Sequence, residues 1–342
     1  VVAPAPVVAP APVVAPAPVV APAPVVAPAP APAPAAGANI IQTGLMPAVN
    51  INKNIVPAVG WSNLRVMPTS EQPSASDVGA FRIFCSISHM SNDDPIVYPN
   101  QQGAAHHHTF YGNTSVNYKS NLMTLSTTGN STCNGGVMNR SAYWHPSIID
   151  TATGTPMAPT NALFYYKTDS PPVTAPPKGL RMIAGNAKAT TAAASEAIYT
   201  CIAPNGQNRG WNPSIPNCAV GDVFEMVVNF PSCWDGVNLD SPNHKDHMAY
   251  RGAGGCPATH PVKIPGISIT VNYDITRPNQ TVNWRLSSDN YSNTQPGGYS
   301  GHADWVNGWD ETFISTFVKN CLNKTLDCHA HLLGDGRQFY DY

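Results

Sequence analysis

The chain has 342 residues, a formal net charge of −2, and charged side chains at only 11% of its positions. Soluble domains usually have about a quarter of their residues charged, so solubility has to come from uncharged polar groups or from attached sugar. The 18 Lys and Arg residues are scattered rather than gathered in a basic stripe, which argues against a nucleic-acid partner. No uninterrupted apolar run reaches the length of a membrane span.

Residues 1–36 form a low-complexity tail. Residues 1–30 are five copies of VVAPAP, and twelve of the 35 prolines lie between Pro4 and Pro34. Proline at that density excludes helix and sheet interiors, so we expect a polyproline II rod of roughly 110 Å. Six residues make two turns of that helix, and every copy therefore presents the same faces. The pattern favours either a stiff solvated spacer or a rod that packs against neighbouring copies in a fibre.

Residues 37–74 are predicted to be an extended connector. This segment is poor in charge and interrupted by prolines, and it carries two apolar pairs, Ile40-Ile41 and Ile55-Val56. Such pairs are unusual in an exposed linker. They are expected either to pack on the chain's own head domain or to add a strand to the sheet edge of a neighbour, and we favour the first alternative slightly.

Residues 75–342 are predicted to be a β-rich head domain. Apolar and polar residues alternate in 81–87, 224–230 and 267–273, as in half-buried strands, and turn-forming residues separate these segments. One clear helix opens after Asp310 as N-cap and carries an apolar face that includes Phe313 and Phe317. A second, alanine-rich helix is predicted around Thr190–Ile198. Few helices among many strands favour a β-sandwich or jelly roll with long loops.

Eight cysteines indicate four disulfides in an oxidising compartment, since the number is even and none forms a CxxC pair. Spacing does not determine connectivity, but we favour the local pairs Cys201–Cys218, Cys233–Cys256 and Cys321–Cys328, which leave Cys85 with Cys133. The chain starts at Val1 without a visible signal peptide, which we interpret as a mature or truncated form. The cysteines therefore predict an extracellular or cell-surface protein.

Glycosylation is the second expected modification. Six N-x-Ser/Thr sequons in a charge-poor chain indicate a secreted glycoprotein. They lie at Asn113, Asn130, Asn139, Asn279, Asn290 and Asn323. The Ala-Pro repeats resemble the hydroxyproline-rich, O-glycosylated segments of plant and green-algal wall proteins. That resemblance implies sugar on tail prolines such as Pro4, Pro6, Pro10 and Pro12.

Residues suited to metal binding or acid–base chemistry are concentrated in two places. The loop 233–262 has the densest collection, with three histidines and three aspartates, and the triplet His106-His107-His108 precedes Thr109. In a strand, His106 and His108 would share one face while His107 points away. Imidazoles and a carboxylate suit copper or zinc. The predicted metal residues are His106, His107, His108, His247, His260, His302 and Asp304, with Asp304 as a ligand or as a group that orients a neighbouring imidazole.

Other interpretations of these residues stay open. Scattered histidines are usually structural hydrogen-bonding groups, and no HExxH spacing is present. Without metal, a His and Asp pair could act as general acid and base on a sugar. Six aromatic residues could stack on sugar rings, although such residues more often belong to the core. They are Tyr143, Trp144, Trp234, Trp284, Trp305 and Trp309.

Several blocks of the head together resemble one domain-of-unknown-function family of secreted proteins, common in fungi and often joined to WSC cell-wall modules. The blocks are DPIVYPNQQGAAHHHTFYGNTS, STCNGGVMNRSAYW, GLRMIAGN, FPSCWDGVNLDSPNHKDHMAY, GCPATHPVKIP, WRLSSD, GHADWVNGWD and LGDGR, in order over residues 75–340. The family motif positions carried onto this chain are His106, His107, His108, Asp235, Asp240, His247, His260, His302 and Asp304. The resemblance implies a disulfide-bonded, wall-associated extracellular domain and supplies no reaction.

The sequence therefore favours a structural function. We expect an extracellular glycoprotein whose tails self-associate in a fibre or cell-surface matrix while the heads are displayed. The alternative is a metal-dependent enzyme acting on carbohydrate, or a head that binds carbohydrate such as cell-wall polysaccharide.

Overall fold

The computed structural model describes residues 47–50, 53 and 55–340. The repeat tail with its predicted polyproline II conformation, and the pair Ile40-Ile41, lie outside the described residues. Within the described part, no helix combines the length and the apolar character that crossing a membrane requires.

The described chain is mostly β-structure. In chain order the strands are β1 (Val66–Pro68), β2 (Ser74–Ala75), β3 (Gly79–Cys85), β4 (Ile87–Ser91), β5 (His108–Gly112), β6 (Ala142–Pro146), β7 (Ile148–Asp150), β8 (Thr155–Pro156), β9 (Asn161–Thr168), β10 (Arg181–Gly185), β11 (Ile198–Ile202), β12 (Val223–Asn229), β13 (Cys233–Trp234), β14 (Met248–Ala249), β15 (Val262–Lys263), β16 (Gly266–Asp274), β17 (Trp284–Leu286), β18 (His302–Val306), β19 (Leu326–Asp327) and β20 (Arg337–Phe339). The helices are α1 (Leu122–Thr127) and α2 (Glu311–Asn320), with 3-10 turns at Ala192–Ala194 and Leu322–Lys324. The predicted β class and the three predicted strand regions are confirmed.

Two large sheets form a sandwich. The first has seven strands in the order β11-β12-β16-β9-β3-β19-β2, and the second has five in the order β10-β18-β6-β5-β4. Buried and half-buried residues alternate along β9 and β12, whereas every residue of β5, β6 and β18 is buried. Alternation marks a sheet with one covered face, and continuous burial marks a sheet covered on both faces. The five-stranded sheet is therefore an inner layer.

Aromatic side chains join the two sheets. Tyr143 of β6 packs on Phe164 of β9 with ring centroids 3.9 Å apart. The hydroxyl of Tyr143 is 2.8 Å from that of Tyr166, which also accepts a hydrogen bond from the indole of Trp309. Satisfied hydroxyls let these large rings be buried without a desolvation penalty. Five of the six candidate aromatics are fully buried, so they belong to the core and cannot stack on a sugar; they are Tyr143, Trp144, Trp284, Trp305 and Trp309.

The outer face of the five-stranded sheet has its own apolar cluster. Phe110 and Trp144 of the sheet pack there with Ile96, Val116 and Leu125. The cover comes from the segments between β4 and β5 and between β5 and β6, which include α1. The Asn121 side chain caps α1 by accepting from the amide of Thr124, and the Thr124 hydroxyl accepts from the amide of Asn121, a capping box that was not predicted from the sequence.

The C-terminal helix agrees with its prediction. The carboxylate of Asp310 accepts hydrogen bonds from the amides of Thr312 and Phe313, as an N-cap does. The buried face of α2 includes Phe317, whose ring stacks on Phe81 of β3 at 4.1 Å. This contact packs α2 against β3 of the seven-stranded sheet.

The alanine-rich helix predicted around Thr190–Ile198 was wrong. Only the 3-10 turn Ala192–Ala194 forms there, and Ile198 already begins β11, which pairs with β12. Ala192 and Ala193 are exposed, so the middle of the alanine run buries no apolar surface that would stabilise a helix. High helix propensity over so few residues does not outweigh strand pairing by the residues that follow.

Four disulfides cross-link the head, and among the described residues no cysteine is free. They join Cys85–Cys133, Cys201–Cys218, Cys233–Cys256 and Cys321–Cys328, the pairs favoured from the sequence. The first spans 48 residues and joins β3 to the loop before β6. The others close loops of 17, 23 and 7 residues.

The described part of the connector packs on the head. Trp61 and Ser131 exchange backbone hydrogen bonds of 2.7 and 3.1 Å, and β1 pairs with β20. Earlier in the connector, Ile55 is partly buried while Val56 is 87% exposed. The described segment thus follows the alternative in which the connector contacts its own domain.

Two predicted N-glycosylation sites do not fit the fold. Asn113 and Asn139 are completely buried, and their amide nitrogens donate to Leu125 and Thr128 carbonyls and to the Tyr143 hydroxyl, respectively. A glycan on either nitrogen would break these bonds and open the core. The amides of Asn130 and Asn323 donate to backbone carbonyls of Val59 and Val173. Only Asn279 and Asn290 are exposed with an amide nitrogen that makes no hydrogen bond in the described chain.

Candidate metal centre

The candidate metal centre, a cluster of histidine and aspartate side chains, lies on the outer face of the five-stranded sheet. β6 pairs with β5 on one side and with β18 on the other, so residues of these strands that point outward are neighbours. His108 comes from β5, His302 and Asp304 come from β18, and His106 comes from the loop that leads into β5. In extended backbone, residues two positions apart point to the same face, which explains the spacing of His106 and His108 and that of His302 and Asp304.

Three imidazoles converge in this place. The ring centroids of His106 and His108 are 4.2 Å apart, those of His106 and His302 are 4.9 Å apart, and those of His108 and His302 are 6.2 Å apart. Each ring offers a nitrogen that lies within 4.8 Å of the nitrogens of the other two. His108 and His302 are buried, and the Nε2 atom of His106 is buried as well.

Backbone carbonyls orient two of these rings. His108 Nδ1 is 2.9 Å from the carbonyl oxygen of Asp93, and His302 Nδ1 is 2.8 Å from that of Ser300. A carbonyl can only accept, so each Nδ1 carries the proton and each neutral ring has its lone pair on Nε2. The Nε2 atoms of His106 and His108 have no partner in the described chain. This is how protein histidines are prepared to ligate a metal.

Two carboxylates complete the cluster. Asp94, His108 and Asp304 form a second group whose ligand atoms lie within 4.8 Å of one another. Asp94 Oδ1 accepts from the amides of Ile96 and Val97, each at 2.8 Å. Both oxygens of Asp304 are buried without a hydrogen-bond partner among the described residues. Such a carboxylate needs either a proton or a cation.

Burial controls the protonation of the cluster. It lowers the pKa of His108 to about 3 and that of His302 to about 4, and it holds the pKa of His106 well below its usual value. All three imidazoles are therefore neutral near pH 7, which is the ligand form. Burial, reinforced by the nearby carboxylate of Asp94, raises the pKa of Asp304 well above its ordinary range.

The donor set decides what the cluster can hold. Three neutral imidazole nitrogens with one or two carboxylate oxygens suit borderline divalent transition metals rather than calcium or magnesium, which prefer oxygen. The structure thus contains His/Asp groups that could hold a metal ion.

Three of the seven predicted metal residues, His107, His247 and His260, lie outside the cluster. Both nitrogens of His247 are engaged, with Ser241 Oγ at 2.9 Å and the Arg181 carbonyl at 2.6 Å. His260 contacts Thr259 Oγ1 and the Asp246 carbonyl in the same way. These rings hold a loop in place and have no nitrogen left for a metal.

His107 was also wrongly included, because strand alternation turns it away from the cluster. Its Nδ1 lies 2.9 Å from Ser147 Oγ. His145 of β6 points into the sandwich, where its Nε2 contacts the hydroxyl of Tyr111 at 2.9 Å.

The two loop aspartates of the family motif are structural. Asp240 pairs with Arg181 at 3.0 Å and with His244 at 2.9 Å. Asp235 accepts hydrogen bonds from the amides of Val237 and Asn238. Asp240 therefore attaches the loop to β10, and Asp235 shapes a turn within the loop.

Asp94 is the one cluster residue that the sequence analysis missed. It lies twelve residues before His106 in a segment without regular structure, so no strand periodicity links it to the histidines. The available signal was the Asp-Pro pair that opens the first family block, because an aspartate there typically accepts from the following amides.

No curated protein and no solved structure shows significant similarity to the chain. A family comparison does identify it: the family described as Domain of unknown function (DUF1996) matches residues 94–309. The matched region begins at Asp94 and contains all five residues of the cluster. Since the match covers more than half of the chain, the protein belongs to this family of domains of unknown function.

Proposed function

We propose that the head is a metal-binding domain that retains one zinc or copper ion through His106, His108 and His302, with Asp304 as the carboxylate ligand. The observation that carries the proposal is the carboxylate of Asp304, which is 1% exposed and receives no hydrogen bond from any described residue. A divalent ion would supply the missing positive charge next to three imidazole lone pairs. Asp94 is close enough to be a further ligand or to orient one.

Burial favours a retained ion over a catalytic one. His108, His302 and Asp304 are at most 3% exposed. A structural zinc site is closed with four protein ligands, whereas catalysis on carbohydrate needs a ligand position open to the substrate. Three nitrogens and one oxygen can fill a tetrahedral zinc shell. The enzyme alternative would require the cover formed by residues 92–105 to move.

Metal content tests the proposal directly. The head, expressed with zinc and copper present and dialysed without chelator, is expected to contain about one ion per chain by elemental mass spectrometry. His108→Ala and His302→Ala are each expected to lose it, because each removes one of a few ligands. His260→Ala is the matched control and should keep the ion. Wild-type protein free of metal, or equal loss in the control, would contradict the proposal.

The tail supports a second, structural function, which is that the chain assembles into an extracellular fibre. The supporting observation is the strict six-residue repeat, since identical faces on every copy allow tails to pack in register. Four disulfides, low charge and the exposed sequons at Asn279 and Asn290 support secretion as a glycoprotein. In this proposal the head is displayed on the fibre and carries its metal there.

Deleting residues 1–36 is expected to abolish assembly and to leave the metal content of the head unchanged. Negative-stain images of the full chain should show filaments, and those of the deletion variant should show separate particles. A matched control replaces the prolines of the repeat by alanine and keeps the length of the tail. Dispersed single particles from native full-length material would end the fibre proposal without affecting the metal site.

A further inference from the structure

A cleft lies behind the metal centre, on the side of β5 to which His107 turns. It has a volume of about 460 Å³, which is within the range of small-ligand sites. The edge strand β4 and the segment that follows it form one wall, and residues of the connector form another. The histidine triplet therefore contributes to two places, the outer residues to the metal centre and the middle one to the cleft.

Polar groups in the cleft are held by the protein at one atom and left free at another. His107 is 6% exposed, its Nδ1 contacts Ser147 Oγ, and its Nε2 has no partner in the described chain. Asn92 donates from Nδ2 to the carbonyl of Ala105, which leaves its Oδ1 free. Asp93 accepts the amide of Gly103 on Oδ1 only. Groups fixed in this way are preorganised to bond a ligand.

The character of the lining indicates which ligand fits. The ammonium of Lys53 and the carboxylate of Asp93 balance each other, so the cleft has no net charge to favour an ion. Free donors and acceptors alternate with aliphatic surface from Ile87, Met90 and Pro156. A neutral molecule with many hydroxyls and exposed C–H faces matches both features.

We infer that this cleft binds a neutral saccharide unit, with His107 and Gln102 among the residues that contact its hydroxyls. Gln102 is exposed at the rim, and its side chain makes no hydrogen bond in the described chain. The inference goes beyond metal binding and assembly, since it gives the head a ligand of its own.

The cleft and the metal centre share one segment. The carbonyl of Asp93 accepts from His108 Nδ1, and the next residue is Asp94 of the cluster. An ion that holds His108 therefore also steadies the wall of the cleft. Saccharide affinity is expected to fall when the ion is removed, while binding remains measurable.

Saccharide binding can be measured by titration calorimetry and saturation-transfer NMR with cellobiose, mannobiose and diacetylchitobiose, each on metal-loaded and on EDTA-treated full-length protein. At least one of the three is expected to bind at millimolar concentration. His107→Ala should lower the association constant about tenfold, the effect of losing one well-placed hydrogen bond. Gln102→Ala, at an exposed position that folding does not need, should lower it about threefold.

His260→Ala is the control for histidine loss and should bind as the wild type does. Digalacturonate tests the charge argument and should bind more weakly than the neutral disaccharides. Failure of all three neutral sugars, preference for the anion, or wild-type affinity in both cleft variants would overturn the inference. If the protein as isolated contains no metal and still binds a neutral sugar, the cleft is upheld, and the missing metal rejects only the metal proposal.

Discussion

Asp304→Asn is expected to stabilise the metal-free head at pH 7 and to weaken its hold on metal. Without an ion, the buried carboxylate has to take up a proton, whereas in the unfolded chain it ionises above a pKa of about 3.9. Protonating it at pH 7 costs the folded state up to about 4 kcal/mol. Asparagine has the same shape and needs no proton, so it removes that cost.

The stability difference between Asp304→Asn and the wild type is expected to depend on pH. A carboxyl whose folded pKa is raised contributes stability only at low pH, and that contribution is lost as the pH rises above the unfolded value. The advantage of asparagine should therefore be absent near pH 4 and should grow towards neutral pH. Urea unfolding in EDTA at pH 4, 5.5 and 7 measures it. An Asp304→Asn variant that is less stable than the wild type at pH 7 in EDTA would contradict the argument.

Zinc or copper should reverse the order of stability. The ion then supplies the positive charge, and the wild type gains its binding free energy by mass action while the variant gains less. Loss of the carboxylate ligand is expected to cost about 100-fold in metal affinity, at the upper end of what loss of a supporting residue costs. Isothermal titration with a competing chelator gives this ratio.

Asp222→Asn is the matched control. Asp222 is 1% exposed, as Asp304 is, but it lies nearer the surface and pairs with the half-exposed Arg209 at 2.8 and 2.9 Å, and this pairing lowers its pKa. Its ionised form is the stable one in the fold, so the same substitution is expected to destabilise the head at pH 7. Opposite signs for two buried aspartates would show that the effect belongs to an unpaired carboxylate and not to burial in general.

Local patterns in the sequence predicted much of the fold. Alternation identified strands such as β12 and β16, and the Asp310 cap identified the start of α2, because each is decided by a few neighbouring residues. The same local rule separated His107 from His106 and His108. The pairing of β18 between β10 and β6, which brings His302 and Asp304 to the triplet, joins residues 117 to 164 positions apart in the chain. No local periodicity in the sequence predicts this pairing.

The loop 233–262 shows most clearly what the sequence does not predict by itself. Its density of histidine and aspartate favours a metal or catalytic site, but the structure uses these side chains to attach the loop. His247 donates to the carbonyl of Arg181, and Lys245 donates to that of Gly185, so the loop covers the free edge of β10. The free edge of a sheet needs side chains that form hydrogen bonds, and a metal site needs ligands. Histidine and aspartate serve both purposes, so composition does not distinguish them.

Replacing Cys233 and Cys256 by alanine is expected to destabilise the head by about 3 kcal/mol and to free this loop. The disulfide closes 23 residues, and the chain-entropy relation gives that magnitude for a loop of this size. Within the loop, the carbonyl of Leu239 accepts from the amide of Arg181, and His247 and Lys245 add their bonds to β10. These contacts have to be made by a longer unconstrained segment once the disulfide is gone.

Loss of this disulfide should also loosen the candidate metal centre, because the loop is attached to β10. That strand pairs with β18 so that Gly185 is opposite His302 and Ile183 is opposite Asp304. Hydrogen exchange is expected to rise first in residues 235–250, then in Arg181–Gly185, and to leave α2 unchanged. The Cys321–Cys328 pair is the control, since its loop of seven residues accounts for only about 2 kcal/mol and lies beside α2 instead. Unchanged exchange in 235–250 after removal of the disulfide would mean that the hydrogen bonds to β10 hold the loop without help. In that case the loop would cover the edge as a folded element in its own right, and the disulfide would act chiefly on the unfolded chain.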